Sequence, residues 1–264
     1  MESKQQKSLS FYVANPEYFM LTAHRGASYE FPENTLLSMA KAIEAGADMI
    51  EFDVRGTKEN IPVILHDQTV DRTSNGTGMP EDQSLAELKK LNFSYYLQFE
   101  RRTAPICEKL EIPTLEEILA NFHHKACMNI QVYAKNTETL KNICYLFKKY
   151  EMYDYGYFTI TPDVIDAVRA IDKDIELCTT RGWETRSNPE VLELCANSDK
   201  CRFVQPIHNA TSEEGYKLIR DYKMRSNTFF CDSPEDMVKL QSMGSQGVLT
   251  NKIHLLCQNR SLLK

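Results

Sequence analysis

An α/β fold is predicted by three features of this 264-residue chain. Short apolar runs of strand length alternate with longer amphipathic runs of helical period. Capping residues or prolines stand in front of several helical runs. The composition, 42% hydrophobic and 26% charged, suffices for a sizeable core and argues against a disordered or fibrous chain. In chain order, the strand candidates are 19–23, 49–54, 63–65, 128–133, 157–160, 175–178, 203–205, 228–231 and 247–250. Helices are expected to begin near Thr35, Thr114, Thr137, Pro162, Pro189, Ser212 and Pro234. After Thr35 the residues Leu36, Leu37, Met39, Ala40 and Ile43 form an apolar stripe that stops at Gly46 and hands over to a strand. Such a stripe suits a helix covering a parallel sheet.

Eight strand and helix units would close a barrel, but periodicity alone leaves an open doubly wound sheet equally available. Nine strand candidates are one too many for the barrel, so one is miscalled or additional. The segment 67–113, with Asn75, Gly76, Gly78 and Pro80, reads as an insertion after the third strand that covers or frames a site at the strand ends. No internal repeat or low-complexity linker divides the chain, so residues 1–264 are read as a single domain.

Thirty-one basic and 37 acidic residues give a formal charge of −6, which provides no broad attraction for nucleic acid or an anionic membrane. The polar stretch 1–19 has no apolar segment of signal-peptide length, so secretion is not expected. The eight cysteines, at positions 107, 127, 144, 178, 195, 201, 231 and 257, form no CxxC pair and no zinc spacing. Free thiols in a reducing, cytoplasmic setting fit that pattern.

The chemistry concentrates at predicted strand ends. In MIEFDVR, Glu51 and Asp53 share one strand face while Ile50, Phe52 and Val54 share the other. Two adjacent carboxylates repel unless a cation intervenes, and oxygen donors suit Mg²⁺ or Ca²⁺. The alternative is a solvated strand end paired with Arg55 or nearby lysines. His24 and Arg25 close one apolar run, and His66 and Asp67 close another. Two histidines at two strand ends suit proton removal on one side of a phosphodiester and proton donation on the other, with Arg25 as a forked anion donor. By contrast, His123 and His124 read as helix-end residues, and no motif singles out His208 or His254. Trp183 reads first as packing.

With these residues in place, the chain resembles the glycerophosphodiester phosphodiesterase family. The resemblance is carried by HRGASYEFPENT from His24, GADMIEFDV from Gly46, PVILHDQTVDRTSNGTG from Pro62 and IPTLEEIL from Ile112. It implies a distorted (β/α)8 barrel of the triose-phosphate-isomerase type and hydrolysis of glycerophosphodiesters to glycerol phosphate and an alcohol. It further implies a divalent cation, Mg or Ca, on Glu51 and Asp53, acid–base duty for His24 and His66, and phosphate contact by Arg25. A glycerol hydroxyl is implied as an internal nucleophile, which avoids the entropy cost of collecting a second reactant.

The match departs in three places. Where the family carries an NIEIK-like strand, this chain has Asn129, Ile130, Gln131, Val132 and Tyr133. Gln131 then stands at a third metal-ligand position, with a neutral carbonyl in place of a carboxylate, and Tyr133 stands where a lysine is expected. Lys135, of the same strand parity, is a candidate substitute phosphate contact. A WTVN-like segment corresponds to Phe229, Phe230, Cys231 and Asp232; Asp232 could offset the lost acid if the strand ends meet. A GIITD-like strand corresponds to Gly247 to Asn251, with asparagine in the final place. Phe229, Tyr133, Trp183 and Asp232 are candidate residues of the glycerol or alcohol pocket. The expected partner is a small phosphodiester, without nucleic acid or integral membrane association. The alternatives are a related phosphodiesterase with another head-group preference and a catalytically weak barrel that binds phosphate ligands.

Overall fold

The computed structural model describes residues 7–95 and 108–264. Part of the expected insertion, residues 96–107 with Cys107, lies outside the described residues. The strands are β1 (Met20–Ala23), β2 (Met49–Gly56), β3 (Pro62–Ile64), β4 (Cys127–Val132), β5 (Gly156–Ile160), β6 (Leu177–Thr179), β7 (Phe203–Val204), β8 (Arg225–Ser226), β9 (Thr228–Phe229) and β10 (Gly247–Thr250). Seven run parallel in the order β6-β5-β4-β2-β1-β10-β9. β7 pairs in parallel with β8, and a parallel bridge from Ile207 to Phe229 carries that pairing onto β9. Since β8 and β9 are two halves of one strand interrupted at Asn227, eight parallel positions curl into a barrel. Its distortion lies between β6 and β7, which are neighbours without a shared ladder among the described residues.

The surplus strand is β3. It runs antiparallel to β2, pairing Val54 with Ile64 and Gly56 with Pro62. The five residues between the two strands are too few for the crossover that parallel pairing needs, so they can only make a hairpin. β3 thus lies outside the barrel count and starts the insertion.

Barrel strands are covered on both faces, and the alternation of β2 shows how. Ile50, Phe52 and Val54 pack outward into the main core against the helices, together with Leu21, Met128, Ile130 and Phe158. Glu51 and Asp53, also buried, face inward. The helix after β1, α2 (Leu36–Ala45), opens on a capping box between Thr35 and Ser38 and closes at Gly46 with φ 95°. The helix expected near Thr114 is Leu115–Phe122, capped by Thr114 and Glu117. The one expected near Pro162 begins with a 3-10 turn before Ile165–Ile171.

Three helices were not anticipated. Leu85–Leu88 falls within the insertion and Ile253–Gln258 follows β10. The third, α1 (Leu9–Ala14), is capped by Ser8 within the segment read as a polar leader. Leu9 and Tyr12 of α1 bury against Met20, Met49, Cys127, Tyr157, Cys178 and Phe203, residues from the starting ends of six strands. The leader therefore plugs the end of the barrel opposite the site. Two apolar anchors in six residues give too short a pattern for periodicity to detect. In the described part of the insertion, Val70, Leu88, Phe93 and Ile112 form a small separate core with Val63 and Leu65. The seven described cysteines are free, and six of them are buried.

Candidate active site

The site is built where β1, β2 and β4 end. His24 and Arg25 follow β1, and Arg25 has a left-handed backbone at φ 56°. Gly26 next to it, at φ 78°, lies so close to α2 that a Cβ would come within 2.5 Å of the Ser38 hydroxyl. This tight turn aims the Arg25 backbone N–H at Glu51, to whose carboxylate it donates at 2.8 Å. The Arg25 guanidinium meets Glu33 at 2.8 Å and Asp53 at 3.3 Å. Asn34, itself left-handed at φ 59°, donates to Asp53 at 2.8 Å.

Electrostatically the centre is crowded with buried acids. Burial and the neighbouring Asp53 push the Glu51 carboxyl well above the usual range, against the pull of Arg25. Burial also raises the Glu33 carboxyl, but Arg72 and Arg25 outweigh that effect and hold it below its ordinary value. Arg72 grips Glu33 through both terminal nitrogens at 2.7 and 2.6 Å and reaches Asp67 at 2.7 Å. The insertion thus joins the site through Asp67 and Arg72.

The two histidines are held in different ways. His24 is buried, and burial lowers its pKa to about 3, assisted by Arg25. Its Nδ1 lies 2.8 Å from the side-chain oxygen of Asn251. The amide nitrogen of Asn251 donates to Asp232 at 2.7 Å, which fixes the amide oxygen as the acceptor facing His24. Nδ1 therefore carries the proton, which leaves Nε2, 3.9 Å from Glu51, as the basic nitrogen of the ring. His66 is one-third exposed and sets its Nδ1 2.7 Å from Asp67, so its Nε2 is directed away from that carboxylate. Arg55 donates to the backbone oxygen of His66 at 2.9 Å, and Tyr133 meets the His66 ring edge-on at 5.4 Å.

Of the sequence candidates, His24, Arg25, Asp53, His66, Gln131, Tyr133, Trp183 and Phe229 line one pocket of about 80 Å³. Glu51 lies beside it, bonded to Arg25. Gln131 is in register with Asp53 and donates to the Tyr133 hydroxyl at 2.8 Å. Two candidates are elsewhere. Lys135 is exposed and paired with Asp163 at 2.6 Å, because the turn after β4 carries it outward. Asp232 is not among the residues that line the pocket with Gln131; it accepts from Thr250 and from both the backbone and side chain of Asn251. It also lines an adjoining cavity of about 330 Å³ that shares Trp183 and Phe229 with the site.

Five residues of the site were missed. Glu33, Asn34 and Arg72 stand within the quoted motifs, so the segments were found without the side chains. Arg186 and Gln205 also line the pocket; nothing local in the sequence separates Arg186 from Arg181, which pairs outside the pocket with Asp199.

The residues suit a hard divalent cation in one respect. Glu51 Oε1 is a buried carboxylate oxygen with no hydrogen-bond partner, next to a second carboxylate. Among the described residues no cluster of three His, Cys, Asp or Glu side chains completes such a site.

Comparison with known proteins agrees with this geometry. The profile of the Glycerophosphoryl diester phosphodiesterase family matches residues 24–255. A glycerophosphodiester phosphodiesterase of Caldanaerobacter subterraneus subsp. tengcongensis is 44% identical over 251 residues, 88% of this chain and 93% of the relative. A putative glycerophosphoryl diester phosphodiesterase from Silicibacter pomeroyi superposes with a TM-score of 0.80 at 18% identity, covering 93% of this chain and 95% of its own. An Oleispira antarctica phosphodiesterase, solved in complex with the product sn-glycerol-3-phosphate, superposes at 0.74 with 20% identity, covering 92% and 96%. With its distorted barrel and matching motifs, the chain belongs to the glycerophosphodiester phosphodiesterase family, whose enzymes hydrolyse glycerophosphodiesters.

Proposed function

We propose that this protein cleaves a glycerophosphodiester by paired acid–base catalysis at His24 and His66, releasing glycerol phosphate and an alcohol. The observation that carries the reading is the meeting of these two imidazoles, from separate strand ends, in one pocket with Arg25 and Asp53. His24, neutral at Nε2, removes the proton from a glycerol hydroxyl, whose oxygen attacks phosphorus. The phosphorus–oxygen bond to the alcohol breaks, and His66 delivers a proton to the departing oxygen. Water then opens the cyclic phosphate with the histidine roles reversed. Asp67 behind His66 orients the ring and balances the positive charge the ring carries while it holds the proton to be delivered. Arg25 holds a phosphoryl oxygen, and Phe229, edge-on to His24 at 5.2 Å, walls the substrate pocket with Tyr133 and Trp183.

A divalent cation would be held by Glu51, Asp53 and Gln131, where it supplies charge neutralisation at the phosphoryl group. Lys135 has no part in phosphate contact, being paired at the surface. The free thiols, six of the seven described ones buried, suit a reducing cytoplasmic setting, and the phosphodiester reading itself gives the protein a role in lipid-derived phosphodiester metabolism. Among the described residues, no helix is long and apolar enough to cross a membrane.

The test is turnover of several glycerophosphodiesters by purified protein with Ca²⁺, Mg²⁺, Mn²⁺ or chelator. Glycerol phosphate should appear with at least one divalent cation and cease with chelator. Absence of product across that screen would contradict the reading.

A further inference from the structure

We propose that Arg186 and Gln205 form an anion-binding half-site that receives a phosphoryl oxygen of the ligand. Both belong to strand-end loops, Arg186 after β6 and Gln205 after β7, and both line the pocket that holds His24 and His66. They are 5% and 4% exposed. Arg186 donates from one terminal nitrogen to the Gln205 backbone oxygen at 3.1 Å, which ties the two residues together. Its Nε and the Gln205 side-chain nitrogen are buried and have no hydrogen-bond partner. These two orphaned donors sit on neighbouring residues of one cavity lining and lack acceptors, and a buried unmatched donor is costly.

Charge sharpens the assignment. Arg25 also has an orphaned Nε, but its charge is balanced by Glu33 and Asp53. Arg225, another buried arginine, fills its terminal nitrogens with the backbone oxygens of Tyr12, Asn15, Tyr18 and Gln246. Arg186 has one backbone acceptor, the Gln205 oxygen, and no counter-charge. It makes no ion pair among the described residues, and the titratable groups near it are Cys178, Cys195 and Tyr133, all held neutral by burial. Burial accordingly lowers the pKa of the guanidinium. A buried cation without a counter-charge is retained at a cost that an arriving anion removes. Its forked donors suit phosphate oxygens, and the neutral Gln131 and Tyr133 supply no competing charge. Trp183 covers the guanidinium at 4.7 Å from its ring centre.

The proposal rests on the phosphodiester reading only for the identity of the anion. Trp183 is the chain's one tryptophan, so its emission reports on the guanidinium beside it. The experiment titrates wild type, Arg186→Gln, Arg186→Lys and Gln205→Leu with inorganic phosphate and with sn-glycerol 3-phosphate, following emission and binding heat, and separately measures KM and kcat. Both phosphates should perturb wild-type emission saturably. Arg186→Gln should weaken binding about tenfold or more, Arg186→Lys should recover part of it, and KM should rise more than kcat falls. If Arg186→Gln does not fold, Gln205→Leu carries the test with an expected loss of roughly threefold or more, the loss of one neutral hydrogen bond. Affinity within twofold of wild type in a folded variant, or no saturable phosphate binding by wild type, would overturn the half-site. Wild-type phosphate binding without turnover would instead count against the hydrolytic reading and leave the half-site standing.

Discussion

The side-chain oxygen of Asn251 lies 2.8 Å from Nδ1 of His24, while its amide nitrogen is held by Asp232. This chain of three residues decides which ring nitrogen bears the proton, and so makes Nε2 the basic one. Replacing Asn251 by leucine should lower kcat about a hundredfold with a small change in KM, because the ring loses its orientation and tautomer while the phosphate contacts remain. Asp232→Asn should act in the same direction but less severely, since the amide can then flip. Steady-state kinetics on glycerophosphocholine check both; unchanged kcat in Asn251→Leu would remove the chain from the mechanism.

Burial of His24 also fixes a pH dependence of stability. Its folded pKa, about 3, is below the unfolded value, so the unfolded chain binds the extra proton in between. The contribution of neutral His24 is therefore fully present above about pH 6.5 and declines as pH falls toward 3, by at most about 1.4 kcal/mol per pH unit. Urea unfolding at several pH values should show a steeper acid loss in wild type than in His24→Gln. Equal slopes would contradict the buried neutral ring.

Glu33 is buried and gripped by two arginines, the buried Arg25 and the one-third exposed Arg72. Glu33→Gln should destabilise the fold by about 3 kcal/mol, because it leaves guanidinium charge without its partner. Chemical denaturation measures this, and a loss under about 1 kcal/mol would show that Asp53 and Asp67 suffice.

At the opposite end of the barrel, Leu9→Ala should cost about 2–5 kcal/mol by opening a cavity among Met20, Met49 and Phe203. KM should be unchanged, since α1 is remote from the pocket. A change in KM without loss of stability would mean that the plug acts on the site.

The α/β alternation was legible because its signal is periodic: β2 alternates acid and apolar side chains, and the structure buries each set on its own face. Closure into a barrel came from the family motifs, since periodicity left an open sheet equally available. The sequence could not separate β3 from the barrel strands, since Pro62–Ile64 has the same apolar character and only the short connection makes it antiparallel. At the site, the histidines and acids stood at strand ends and were legible as chemistry. Arg72 and Arg186 were not, because their importance comes from partners 39 and 19 positions away; Asn251 stood out only as a departure from the family strand, since its partner His24 is 227 positions away. Lys135 shows the converse: correct strand parity failed once the chain turned after Val132.

The central claim is that His24 and His66 act on one phosphodiester. The most direct measurement is kcat/KM for glycerol phosphate release by wild type, His24→Ala, His66→Ala and the double variant. Each single variant should lose about 10²–10⁴-fold, and the double variant should fall far short of the product of the two losses. Retention of turnover within a few-fold in either single variant would contradict the paired mechanism.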